Sequence, residues 1–229
     1  MKLTVLQKES PFFDEKDVLR SIGMPEDHHF AGTIRTLLEE TKAIAKPKAF
    51  YMECAVEKVA AEAVVIDGVT FLSSFLADHL KEQSTVYPYL CTCGKELASF
   101  ALSLTGMEEK YAFDAIMNFY QKMASFFVES ALVDKMPEGC VPEKDNPGDL
   151  PDWNIREQRK LFDLFGSAAA GIGVELSPKY MMFPLKSVSG IFYPAEDVWE
   201  NCKCCQRRNC GRRKTGFSER AYLESLYLY

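Results

Sequence analysis

Four of the chain's eight cysteines, Cys202, Cys204, Cys205 and Cys210, fall within nine residues, a density that points to metal or redox chemistry. Cys202, Cys205 and Cys210 have C-x2-C-x4-C spacing. Adjacent residues such as Cys204 and Cys205 seldom turn both side chains to one ion, so that trio is the expected ligand set. Thiolates suit zinc or an iron–sulfur cluster, with a fourth ligand from Cys204, Cys91, Cys93 or a small molecule. Lys203, Arg207, Arg208, Arg212, Arg213 and Lys214 crowd the same segment with no acid among them. Such cations favour the thiolate and, around iron, raise the potential. The plainer alternative is a set of reduced surface thiols.

A second constellation is spread along residues 144–193. Lys144-Asp145-Asn146-Pro147-Gly148-Asp149 is followed by Pro151-Asp152-Trp153, then by Glu157-Gln158-Arg159-Lys160-Leu161-Phe162. Ser187-Val188-Ser189-Gly190 then separates two apolar runs and leads into Ile191-Phe192-Tyr193. A Pro-Gly turn lets backbone approach a bound molecule closely. Taken singly, each piece is an ordinary turn or strand connection.

The body that must position these residues is large enough to bury a substantial core, with 229 residues of which 47% are hydrophobic. No stretch approaches the roughly 18 uncharged apolar residues of a membrane span. Lys8 and Glu9 interrupt the N-terminus before a secretory signal can develop. A cytoplasmic protein with no membrane partner is therefore expected, and its thiols are reduced, buried or metal-bound rather than a disulfide framework. Without the six clustered cations, 21 basic residues face 33 acidic ones, a net charge of -12. A short basic block on so acidic a body argues against nucleic acid as a partner.

Hydrophobic spacing predicts helices over residues 14–24, 29–45 and 71–81, then over 96–104, from 107 to about 133, and over 155–165. Strands are expected over 49–56, 63–66, 85–92, 180–183 and 188–193. The long helix carries Tyr111, Ile116, Phe119, Met123, Phe126 and Phe127, a stripe that reads first as core-facing. Residues 136–154 read as a Pro/Gly-rich loop long enough to serve a ligand, and 166–174 as a small, flexible stretch. His28 and His29 are expected at a helix start or on the surface, Cys54 and Cys140 as plain buried or loop thiols. Ser218 is placed to cap a short terminal helix. The result is an α+β protein with a mixed or antiparallel sheet and packed helices. A globular domain is expected over 1–196 and a basic, cysteine-rich appendage over 197–229.

In their order and spacing, residues 140–195 resemble the reactivation domain of cobalamin-dependent methionine synthase. In that family an Arg-x-x-Pro-Gly-Tyr segment and a Ser-Val-Ser-Gly-aromatic-aromatic segment contact S-adenosylmethionine. Thr92-Cys93-Gly94-Lys95-Glu96-Leu97 adds a looser likeness to stand-alone relatives, whose C-terminal cysteines precede arginine as Cys210 does here. The resemblance implies a methionine synthase activation domain-like fold and S-adenosylmethionine held by Lys144, Asn146, Pro147, Gly148, Ser189, Gly190, Phe192 and Tyr193. Phe192 and Tyr193 would offer aromatic faces to adenine or the sulfonium, and Gly190 would leave room for the ligand. It further implies a corrinoid-binding methyltransferase as partner, carrying the cobalamin, with an electron donor to return oxidised cobalt to its nucleophilic state. Methyl transfer then traps that state, and the protein contributes alignment and exclusion of water rather than a catalytic side chain. Lysine at 144 replaces arginine, Asp149 replaces tyrosine, and the hydroxyl of the aromatic pair stands at its second position. A lysine neutralises a carboxylate only as a point charge. The alternative from another class is a non-enzymatic metal-binding interaction module on the same fold.

Overall fold

The structure, a computed structural model, describes residues 2–7, 13–149, 152–196 and 218. In chain order the strands are β1 (Lys2–Gln7), β2 (Lys48–Ala60), β3 (Ala63–Ile66), β4 (Val69–Leu72), β5 (Thr85–Thr92), β6 (Val141–Asp145), β7 (Glu175–Leu176), β8 (Met182–Phe183) and β9 (Ser187–Ala195). The helices are α1 (Glu15–Ser21), α2 (Phe30–Lys42), α3 (Ser74–Leu80), α4 (Lys95–Ser103), α5 (Met107–Val133), α6 (Gln158–Phe165) and α7 (Ser167–Gly171).

Among the described residues seven strands form one sheet in the order β4-β3-β2-β5-β9-β6, with β1 also paired to β2. Every pairing is antiparallel, which resolves the mixed-or-antiparallel expectation. Because side chains alternate across a strand, the sheet buries both faces. Phe50, Met52, Val86, Leu90, Ile191 and their neighbours pack toward α3, α6 and α7. Ala49, Tyr51, Tyr87, Tyr89, Cys91 and Phe192 pack toward Ala124, Val128 and Leu132 of α5. On the other side of α5, its Phe113 and Ile116 join Val18 of α1 and Ile34 and Leu37 of α2 into a further core.

The 27 residues of α5 run from Gly106, whose N–H donates to the Glu109 carboxylate at 3.3 Å, and its first turn carries Glu108 and Glu109 where the helix dipole favours acids. Ile116 and Met123 are core residues as expected, whereas Tyr111 and Phe126 are exposed. Other expectations change. The helix anticipated from residue 71 starts at Ser74, because Phe71 and Leu72 complete β4 and Ser73 caps α3, accepting from the Leu76 N–H at 2.9 Å. Within the anticipated loop 136–154, residues 141–145 form edge strand β6, where Pro142 is tolerated. The stretch 166–174, expected to be flexible, contains α7. No helix among the described residues is long and apolar enough to cross a membrane.

Candidate ligand-binding edge of the sheet

Among the described residues that follow β6, Asn146 to Asp149 and Asp152 to Trp153, the chain is held at three places. At the start, the Asn146 side-chain amide donates to the Tyr89 hydroxyl and to the Ser189 carbonyl, each at 2.7 Å. In the middle, the Asp149 N–H donates to the Asn146 carbonyl at 3.0 Å and the Gly148 N–H to the Trp153 carbonyl at 2.7 Å. Gly148 has φ +92, in the left-handed region that favours glycine. At the end, the Asp152 carboxylate accepts from the Ser73 hydroxyl and from the Ser74 N–H and hydroxyl at the head of α3. Trp153 is then fully buried, edge-on to Phe71. Pro147 is buried, while Gly148 and Asp149 are exposed, so the turn lies at the surface with both of their N–H groups engaged in internal bonds.

Pairing register divides the expected ligand residues between two faces. Lys144 pairs with Phe192 and Asp145 with Ile191, so Lys144, Gly190 and Phe192 belong to the α5 face. Asp145, Ser189 and Tyr193 belong to the face of α3 and α6. Phe192 and Tyr193 therefore cannot flank one ligand from the same side. On the α5 face the Lys144 ammonium lies 5.0 Å from the Phe192 ring centroid, 3.3 Å from Ser125 Oγ and 3.4 Å from the Glu129 carboxylate. This ion pair is half-open to solvent, with side-chain exposures of 28% for Lys144 and 46% for Glu129. The Phe192 ring beneath is fully buried.

Packing within the protein itself calls for a glycine at 190. A Cβ there would come within 2.5 Å of Asn146 Nδ2 and within 3.0 Å of Tyr89 Cε1, and would strike the Asp145 carbonyl oxygen. Ser189 is buried and its hydroxyl has no hydrogen-bond partner among the described residues.

On the opposite face, His79 from the last turn of α3 places Nδ1 2.6 Å from Asp145 Oδ2, and the carboxylate is fully buried. The Tyr193 hydroxyl stands 3.1 Å from the same nitrogen. Burial works against charge on His79, but its hydrogen bond to Asp145 and the carboxylate's charge outweigh that, so its pKa is raised. The Tyr193 phenol is pushed far above its ordinary value by burial and by Asp145 and Glu143, which keeps it a donor. A cavity of about 430 Å³ lined by His79, Tyr193, Gln83 and Cys140 opens beside this cluster.

Sequence reasoning missed Glu129, Ser125 and His79. The chain has only three histidines, and one of them on an otherwise apolar helix face was the signal available. Of the other two, His28 meets the helix-start expectation, its Nδ1 accepting from the Phe30 N–H at 3.3 Å. Cys54, Cys91 and Cys93 are buried, and burial pushes the Cys54 and Cys93 thiols up to about 12 and Cys91 upward as well. Cys140 is partly exposed. Cys202, Cys205 and Cys210, with the Ser218-capped helix and the appendage expected over 197–229, lie outside the described residues except for Ser218 itself.

The α+β architecture, an antiparallel sheet with packed helices, is the fold of a methionine synthase activation domain. The structure matches the crystal structure of the MetH reactivation domain bound to AdoHcy, with a TM-score of 0.62 over 86% of this chain and 80% of that one. At 12% sequence identity the likeness is one of fold. No protein-family model matches the sequence, and comparison with curated proteins gives no match.

Proposed function

We propose that this chain binds S-adenosylmethionine at the β6–β9 edge and supports reductive methylation of the corrinoid carried by a partner methyltransferase. The observation that carries the reading is the half-exposed Lys144–Glu129 pair on the strand that leads into the exposed Gly148-Asp149 turn. S-adenosylmethionine ends in an amino-acid zwitterion, and a cation next to an anion is its complement. Lys144 takes the carboxylate and Glu129 the ammonium, both by charge-assisted hydrogen bonds. The exposed Gly148 turn offers its backbone to the rest of the molecule. Bound there, the ligand supplies an electrophilic methyl group on sulfur. The chain's part is to orient it and to shield it from water, with an electron donor and the corrinoid protein as further partners. The fold shared with a domain that holds AdoHcy supports the same reading.

Calorimetric titration tests it. Saturable binding of S-adenosylmethionine is expected, weakened about tenfold or more by Lys144→Ala and by Glu129→Gln. Folded protein that takes up no S-adenosylmethionine would sink the proposal, and binding without methyl transfer to a corrinoid protein under reducing conditions would remove its second half. A second reading rests on the C-x2-C-x4-C spacing of Cys202, Cys205 and Cys210: a zinc or iron–sulfur site in a cytoplasmic interaction module. Stoichiometric metal in the anaerobically purified chain, lost on replacing these cysteines by serine, is its signature.

A further inference from the structure

Helix α3 touches the ligand-bearing segment at both ends. Its first residues hold Asp152 through Ser73 and Ser74, and its last turn holds Asp145 through His79. The helix has seven residues, a span of about 10 Å. Between those anchors hangs the turn that contains Asn146, Pro147 and Gly148. Asp145 sits between Lys144 and Asn146, and strand alternation sends its carboxylate to one face while Lys144 points to the other. Its carbonyl oxygen also packs directly against Gly190. A shift of Asp145 therefore moves Lys144, Asn146 and the floor of the edge together.

We infer that His79 is a positioning residue for the ligand edge: its bond to Asp145 makes α3 a strut that holds Lys144 and the Asn146–Gly148 turn in register, and its protonation tunes that hold. The inference rests on the ligand reading of the β6–β9 edge. His79 is reached by protons, since its side chain is 13% exposed and lines the cavity of about 430 Å³. The groups facing it are Asp145 and Glu143 from β6, Tyr193 from β9 and Asp78 from its own helix, with Glu82, Cys140 and Glu196 around the cavity. Asp145 accepts from His79 Nδ1, and the Tyr193 hydroxyl stands 3.1 Å from the same nitrogen. While the imidazole is charged, the buried carboxylate has it as counter-ion. Once the imidazole gives up its Nε2 proton, Nδ1–H still donates to the carboxylate, but the buried charge has lost its counter-ion and the ion-pair attraction with it. The raised pKa of His79 sets the direction, with the strut tight at lower pH and looser above that pKa.

The experiment compares wild type with His79→Gln, which keeps a donor but cannot titrate. S-adenosylmethionine affinity is measured from acidic to alkaline pH, and the amide shifts of Gly148 and of the Asn146 side chain are followed by NMR without ligand. In wild type the affinity should fall about fivefold as pH rises through the His79 transition, and both amides should titrate with the midpoint of the His79 ring. In His79→Gln neither response should remain, apart from the ligand's own ionisation. Superimposable affinity profiles together with amides indifferent to the His79 titration would overturn the inference. The NMR arm needs no ligand and no variant. If the amides follow His79 while S-adenosylmethionine fails to bind, the strut stands and the ligand reading falls.

Discussion

The two faces of the β6–β9 edge carry ion pairs of opposite character, although Lys144 and Asp145, which anchor them, are consecutive residues of one strand. Lys144 and Glu129, on the α5 face, are half-open to water and joined at 3.4 Å. Asp145 and His79, on the α3 face, are 0% and 13% exposed and joined at 2.6 Å. An exposed pair contributes little to stability because solvent competes for each charge. That makes it easy to open, which a ligand site requires. A buried pair holds geometry, because each partner left alone is a desolvated charge. One residue of register thus separates a replaceable contact from an anchor.

Removing the anchor should have the largest effect on the fold. His79→Ala strips the fully buried Asp145 carboxylate of the imidazole at its side, and a loss of about 3 kcal/mol is expected. Thermal or urea unfolding measures it. A loss no larger than that of an exposed pair would erase the contrast between the faces. Gly190→Ala comes next, because the new methyl group meets the Asp145 backbone, which cannot swing aside, as well as the Asn146 and Tyr89 side chains. A cost of about 2 kcal/mol is expected from overpacking. Since Gly190 touches both Asn146 and Asp145, this variant should disturb the two faces at once, and unfolding near wild-type values would show that β6 can move aside freely.

The pH dependence of stability sharpens the comparison further. The folded pKa of His79 lies above its unfolded value of 6.5, so its contribution is complete below that value and is lost as pH rises through the folded pKa. Wild type should therefore lose stability toward alkaline pH by more than His79→Gln does. Parallel profiles for the two proteins would mean that the Asp145 site does not distinguish the charged ring from an uncharged donor.

Much of this was legible in the sequence where burial and period agree. Strand β5 is expected over 85–92 and occupies those residues, because Val86 to Thr92 are buried on both faces and read as a continuous apolar run. The start of α5 at residue 107 is equally clear, from Gly106 and the acids behind it. Strand β6 is hidden because Pro142, Glu143, Lys144 and Asp145 have the composition of a loop. Its pairing to β9 is a tertiary event that overrides local propensity. The site follows the same division. Residues 144–149 and 187–193 stand out by type, yet which of them share a face depends on register, and register is not readable. Phe192 and Tyr193 look like one aromatic platform and lie on opposite sides. His79 lies 66 residues from Asp145 along the chain, so nothing local links them.

The smallest stability effect should come from the open face, and it separates holding a ligand from holding the fold. Lys144→Met removes the ammonium from Glu129 and Ser125 but keeps an apolar chain of similar length to cover Phe192. Losing a half-exposed ion pair costs under about 1 kcal/mol, and the retained stem preserves the packing over the ring. Unfolding should stay close to wild type. Affinity for S-adenosylmethionine should nonetheless drop, since a thioether offers no charge to a carboxylate. If the Lys144→Met substitution instead costs as much stability as His79→Ala, Lys144 is a second anchor, and the ligand carboxylate must be met elsewhere on the edge. If stability and affinity both stay unchanged, the open pair serves neither task, and the exposed Gly148 backbone is left as the feature on which binding depends.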